Sequence, residues 1–190
     1  MQNDNQKEIV VIYHGNCIDG FAGAYMAWKK FKENAIYIGT ENRQTPPDDL
    51  LNKQVYIIDY SYPKDILLAI KNNNKSLTII DHHVSAQNDV ESIPGSIFNN
   101  DHSGAYLSAQ HFFPDEKISN LVSYIEDGDL YKFNLPNSKS ILSYLHNQDL
   151  NFDTFAVLEN DLETQDGLNK IIDYGNVLLA DHNREVEYFA

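Results

Sequence analysis

Four short runs of consecutive apolar, mostly β-branched residues constrain the fold of this chain more than anything else in it. They lie at residues 8–14 (EIVVIYH), 35–40 (AIYIGT), 54–60 (QVYIIDY) and 77–81 (LTIID). Runs of this length without polar alternation are strands covered on both faces. Between the first two, Phe21, Ala24, Tyr25, Trp28 and Phe31 recur near helical spacing, which predicts a helix over 19–32. Pro63 stands where a second helix begins, and Ile66, Leu67 and Ile70 continue it. A weaker fifth strand follows Pro94 and Gly95 at 96–98. This order predicts an α/β fold: an open, mostly parallel sheet of about five strands with helices on both faces.

Beyond residue 103 the period is helical throughout, with expected helices at 104–113, 118–126, 138–145, 152–163 and 168–189. We therefore expect a first domain at 1–135 and a helical extension at 136–190. In the last helix Leu168, Ile171, Ile172, Leu178, Leu179, Val186 and Phe189 could share one face, with Gly175 a weak point. So apolar a face near the end of the chain suggests a homodimer or a further domain.

Composition removes several classes of function. The 190 residues, 42% hydrophobic, suffice for a sizeable core. Fourteen Lys and Arg against 28 Asp and Glu give a net charge of −14, and only two residues are arginine. A chain that gripped duplex nucleic acid by its phosphates would need a basic track, so duplex binding is not expected. Residues 1–100 carry 9 basic and 12 acidic side chains, net −3; residues 101–190 carry 5 and 16, net −11. Such a surface suits solvent, or a small anionic substrate met through bound cations. The single cysteine, Cys17, excludes an intramolecular disulfide and fits a reducing compartment. No apolar run reaches membrane-span length, and the polar start at Met1 to Asp4 is unlike a signal peptide, so a cytoplasmic protein without membrane contact is expected.

In parallel sheets ligands bind at the carboxyl ends of the strands, and three strand ends here carry metal-type donors. The first offers His14, then Cys17 and Asp19; the third offers Asp59; the fourth offers Asp81, His82 and His83. A later acidic group, Glu126-Asp127-Gly128-Asp129, ends a helix. Each also has an ordinary structural explanation: Asp19 as a cap of the first helix, Asp59 in a turn, the histidines in a loop, Asp127 in a polar turn. Their order at successive element ends argues for a site. Mixed carboxylate and imidazole donors suit Mn²⁺, Mg²⁺, Fe²⁺ or Zn²⁺, and the excess of carboxylate leans toward Mn²⁺. Ahead of the next helix, Asp101-His102-Ser103-Gly104 places Ser103 as N-cap, with His102, Ser103 and Gly104 as candidates for holding a phosphate at the free amides.

These motifs resemble those of the DHH superfamily of phosphoesterases, which includes RecJ-type exonucleases, nanoRNases, exopolyphosphatases and cyclic-dinucleotide hydrolases. His14-Gly15-Asn16-Cys17-Ile18-Asp19-Gly20 resembles the first motif, Asp59 the second, Asp81-His82-His83 the third and Asp127 the fourth, over roughly residues 8–135. The resemblance implies that Asp59 bridges two ions, that His82, Asp127 and Asp19 serve one and His14 the other. It implies that Asp81 orients the histidine pair and that His83 donates to the scissile phosphate or the leaving group. The attacking group would be a metal-bound hydroxide.

The chain departs from the family pattern in two ways. The family's first motif carries two aspartates two residues apart, and the earlier position here is Cys17, a ligand for Zn²⁺ or Fe²⁺ or else a small buried residue. The family's second domain, with a glycine-rich loop ending in histidine, has no counterpart in 136–190. The expected function is a metal-dependent phosphohydrolase acting on a small phosphorylated substrate such as a short single-stranded oligonucleotide, a dinucleotide or polyphosphate. The alternative is a catalytically impaired module of this fold that binds metal or nucleotide. A scaffold acting through its last helix would leave the ordered motifs a coincidence.

Overall fold

The structure, a computed structural model, describes residues 7–41 and 44–189; the start at Met1 to Asp4 and the side chains of Val186 and Phe189 lie outside the described residues. Five strands form one sheet: β1 (Ile9–His14), β2 (Ala35–Thr40), β3 (Gln54–Ile58), β4 (Ser76–Asp81) and β5 (Ile97–Phe98). All neighbours are parallel, in the order β2-β1-β3-β4-β5. The α/β class and the parallel sheet are as expected. Both faces of the strands are covered, as their unbroken apolar runs require. Val10, Ile12, Val55, Ile57, Leu77 and Ile79 belong to the core on one side. On the other side the Tyr56 ring meets Phe31 and Phe112 at centroid distances of 5.5 and 5.4 Å. Removing each such side chain from water contributes about 1.5–3 kcal/mol.

Helix α1 (Ile18–Phe31) links β1 to β2, α2 (Lys64–Asn73) links β3 to β4, and the short α3 (Gln87–Glu91) links β4 to β5. From β1 the chain steps one way along the sheet to β2, then crosses back to β3 and continues the other way. Because crossovers of this kind are right-handed, that reversal sends α1 to one face and α2 and α3 to the other. Leu67 and Ile70 of α2 and Val90 of α3 accordingly join the core that Ile57 faces. The reversal also opens a crevice between the carboxyl ends of β1 and β3. Helix α4 (Gly104–Phe112) lies beside α1, capped by the Ser103 hydroxyl, which accepts from Tyr106 N at 3.3 Å. The sequence pattern misses α3, whose five residues hold one buried apolar side chain, Val90, too few for a helical period to show.

The remaining helices are α5 (Asn120–Asp129), α6 (Ser138–His146), α7 (Phe152–Leu162) and α8 (Gln165–Phe189). The chain divides into two compact units, Met1–Glu116 and Lys117–Ala190, rather than at 135/136. The reason is that α5 packs against α6 and α7, burying Leu121, Val122 and Ile125 in the helical unit. Gly175 is no weak point of α8. A Cβ there would run into the Ser140 carbonyl oxygen of α6, so glycine is what lets the two helices cross closely. The Ser140 hydroxyl donates to Asn176 Oδ1 at 2.6 Å beside that crossing. Helix propensity alone would make Gly175→Ala stabilising by about 1 kcal/mol. The crossing reverses the sign: we expect a loss of about 1–3 kcal/mol in urea unfolding, and a stabilised variant would refute the close-contact reading. Among the described residues, no helix is long and apolar enough to cross a membrane.

Candidate metal centre

The strand register delivers the donors to one level of the sheet edge. Tyr13 pairs with Ile58 and Ile58 with Ile80, so the next residues of the three strands, His14, Asp59 and Asp81, stand side by side at the switch point. Asp59 leaves the strand with φ 54°, a left-handed conformation that Asp and Asn tolerate better than most residues, while its N–H still donates to Ile80 O at 2.8 Å. Asp59 is 2% exposed and surrounded by imidazoles. Its Oδ2 lies 3.4 Å from His14 Nδ1; its Oδ1 lies 3.2 Å from His82 Nε2 and 3.7 Å from His83 Nδ1. Burial is the largest single influence on the Asp59 carboxyl and pushes its pKa up, but contacts with His14, His82 and His83 outweigh it and hold it below the ordinary range. The same contact with Asp59 raises His14 against the opposing effect of its burial.

Two donor sets meet at this carboxylate. The ligand atoms of His14, Cys17 and Asp59 lie within 4.8 Å of one another, and so do those of Asp59, His82 and His83. Asp59 Oδ1 is buried without a hydrogen bond. Its approach to His82 Nε2 is near but misaligned for one. A buried carboxylate oxygen left in that state is unfavourable unless a cation meets it. Imidazole nitrogen, carboxylate oxygen and one sulfur are donors that Mn²⁺, Fe²⁺ or Zn²⁺ accept, so the residues present fit a divalent ion.

Asp81 performs a different task. Its Oδ1 accepts from His82 N at 2.8 Å and His83 N at 3.2 Å, and lies 2.7 Å from His83 Nδ1. An ionised carboxylate only accepts, so His83 Nδ1 carries the proton and the other ring nitrogen remains for a ligand on a side chain 45% exposed. Asp81 thus holds the turn and the ring through one oxygen. Cys17 occupies the N-cap of α1 in extended conformation. Burial, then the Asp59 carboxylate, pushes its thiol up to about 11, while the amides of Gly20 and Asp19 draw it partly back.

Asp19 does not cap its own helix. It is fully buried, and its carboxylate accepts from Gly104 N at 2.7 Å and Ala105 N at 3.1 Å, capping α4 from a distance in sequence. Oδ2 also stands 4.0 Å from His82 Nε2 at the edge of the second donor set. This corrects the expectation for Ser103 and Gly104. The α4 amides expected to hold a phosphate are bonded to Asp19 and to the Ser103 hydroxyl, and Ser103 is itself wholly buried. The small size of Gly104 serves the protein instead: a Cβ would stand 2.7 Å from Asp59 Cβ and 2.9 Å from Asp19 Oδ2. His102 stacks on Tyr106 at 3.9 Å and 4° and joins neither donor set.

Asp127 lies in the helical unit. Its Oδ1 accepts from Asn134 N at 2.9 Å and Oδ2 from Leu135 N at 3.2 Å, while its carbonyl accepts from the amides of Lys132 and Phe133. Burial pushes this carboxyl up, yet the Ser138 hydroxyl and those two side-chain-bound amides hold it below the ordinary range. Through these bonds Asp127 pins the 130–135 loop. That loop holds Tyr131 and Phe133 at φ 54° and 48°, with Tyr131 83% exposed. Both rings line a cavity of about 800 Å³ within the helical unit, together with Lys139 and His146. Nothing in the local sequence pattern marks these four residues. Tyr60 and Tyr62 are core residues.

No family model matches this chain. It is 30% identical over 184 residues to an uncharacterized protein of Acanthamoeba polyphaga mimivirus, a match covering 88% of this chain and 43% of that protein. The chain therefore spans less than half the length of this relative. Among solved structures it is similar to an uncharacterized protein from Helicobacter pylori, with TM-score 0.64 and 12% identity over 90% of this chain and 60% of that one. That likeness shows a shared fold.

Proposed function

We propose that this protein is a metal-dependent phosphohydrolase of the DHH kind, cytoplasmic, acting on a small phosphorylated substrate such as a short single-stranded oligonucleotide, a dinucleotide or polyphosphate. The observation that carries the reading is one buried carboxylate, Asp59, shared by two donor sets at the switch point of a parallel sheet. A pair of divalent ions, with Mn²⁺ the leading candidate, would supply Lewis acidity toward a phosphoryl oxygen and a lowered pKa of water. His14 and Cys17 would hold one ion and His82, with Asp19 at its edge, the other, Asp59 serving both. His83, locked through Nδ1 by Asp81, turns its remaining ring nitrogen to the phosphate or the leaving group. The net charge of −14 leaves small anions neutralised by metal as better substrates than long polyanions.

The test is hydrolysis of bis(p-nitrophenyl) phosphate by metal-stripped protein with Mn²⁺, Mg²⁺, Fe²⁺ or Zn²⁺ restored singly. Turnover should require an added ion. Absence of turnover with every ion, while calorimetry still records metal binding, would replace the hydrolase by the binding-module reading.

A further inference from the structure

The two donor sets are chemically unequal. Around Asp59, His82 and His83 the atoms on offer are nitrogen and oxygen alone, whereas His14 and Asp59 are joined by the sulfur of Cys17, all within 4.8 Å. Cys17 has no disulfide partner, since it is the chain's single cysteine. Cys17 stands at the N-cap position of α1, where Ser, Thr, Asp or Asn is favoured, and its sulfur lies near the amides of Asp19 and Gly20 without making a capping hydrogen bond. It is half-buried rather than sealed in the core. The carboxylate that completes this set is 2% exposed: its Oδ2 lies 3.4 Å from His14 Nδ1, while Oδ1, which has no hydrogen bond, stands 3.2 Å from His82 Nε2, so one buried anion reaches toward both sets.

Resting on the reading that this cluster holds divalent ions, we infer that His14, Cys17 and Asp59 form a thiolate site selective for a thiophilic ion such as Zn²⁺ or Fe²⁺, while the His82 side takes a harder ion such as Mn²⁺. Thiolate ligands select the softer first-row ions, and carboxylate with imidazole accepts Mn²⁺. The centre would then be a mixed pair rather than two equal ions. Mn²⁺ supplied alone would fill the His82 side and leave the other weakly held.

Cobalt(II) added to metal-stripped full-length protein reads the sulfur directly, because a cobalt–thiolate bond gives a near-ultraviolet charge-transfer band that nitrogen and oxygen donors do not. The band should appear in the wild type, be lost in Cys17→Ser and persist in His82→Ala. Zn²⁺ should abolish it at concentrations at which Mn²⁺ does not. In Cys17→Ser the Zn²⁺ affinity should fall about 100-fold or more, with Mn²⁺ affinity little changed. Serine is a good N-cap, so this variant keeps its fold, which circular dichroism checks. Cobalt bound, as its visible bands show, without the near-ultraviolet band would overturn the thiolate site and leave the metal reading standing. A wild type that binds no cobalt at all would overturn both.

Discussion

Replacing Asp59 by asparagine should lower phosphodiester turnover by at least about a thousandfold, some 4 kcal/mol of transition-state stabilisation, with little change in the fold. The substitution is conservative in every respect but charge. Asparagine has the same shape and tolerates the left-handed φ of 54° found there. What it lacks is the anionic oxygen pair that meets His14 on one side and His82 on the other. A single-site ligand would leave one ion in place when removed; a shared one releases both. Metal binding should therefore fall on both sides of the centre, measured by calorimetry with Mn²⁺ and with Zn²⁺. Turnover within tenfold of the wild type would show that Asp59 is not shared and would remove the main support for the hydrolase.

Asp19→Ala should destabilise the metal-free protein by about 3–4 kcal/mol, a loss set by the two amides it satisfies. Gly104 N and Ala105 N are buried at the start of α4, and alanine leaves both without their acceptor while deleting an anion from the helix's positive end. Asp19→Asn keeps one carbonyl oxygen and should lose roughly half as much. Urea unfolding in the presence of a chelator is the discriminating measurement. If Asp19 acted only through a metal, neither variant would move the midpoint of the metal-free protein. Unchanged stability in Asp19→Ala would thus refute the capping role, whatever happens to activity.

The strands were legible because a strand sealed on both faces needs an unbroken apolar run; Val10 to Ile12 and Val55 to Ile58 meet that need locally. The main donors were legible for a related reason. A polar residue that ends such a run falls at the sheet edge, and in a parallel sheet all those edges lie on one side, so His14, Asp59 and Asp81 had nowhere else to go. Helix α3 escaped because five residues with one buried apolar side chain carry no period.

Other roles depended on partners far along the chain. Asp19 reads locally as a cap for α1, yet its carboxylate is taken by amides 85 and 86 residues away. Gly104 reads as room for a phosphate, and the room is filled by Asp59 and Asp19. Gly175 reads as a flaw in a helix until the Ser140 carbonyl is found against it. The Asp127 carboxylate accepts from Asn134 N and Leu135 N of the loop that follows it, a pairing that the local pattern does not announce. Periodicity and element order report what a residue's immediate neighbours demand, and that was enough to specify a parallel α/β sheet with acids and histidines at its carboxyl edge. Which of those polar groups faces open space and which is consumed by another helix's amides is a matter of three-dimensional approach, and only the packed structure decides it, because a buried polar atom takes whichever partner the fold brings within reach.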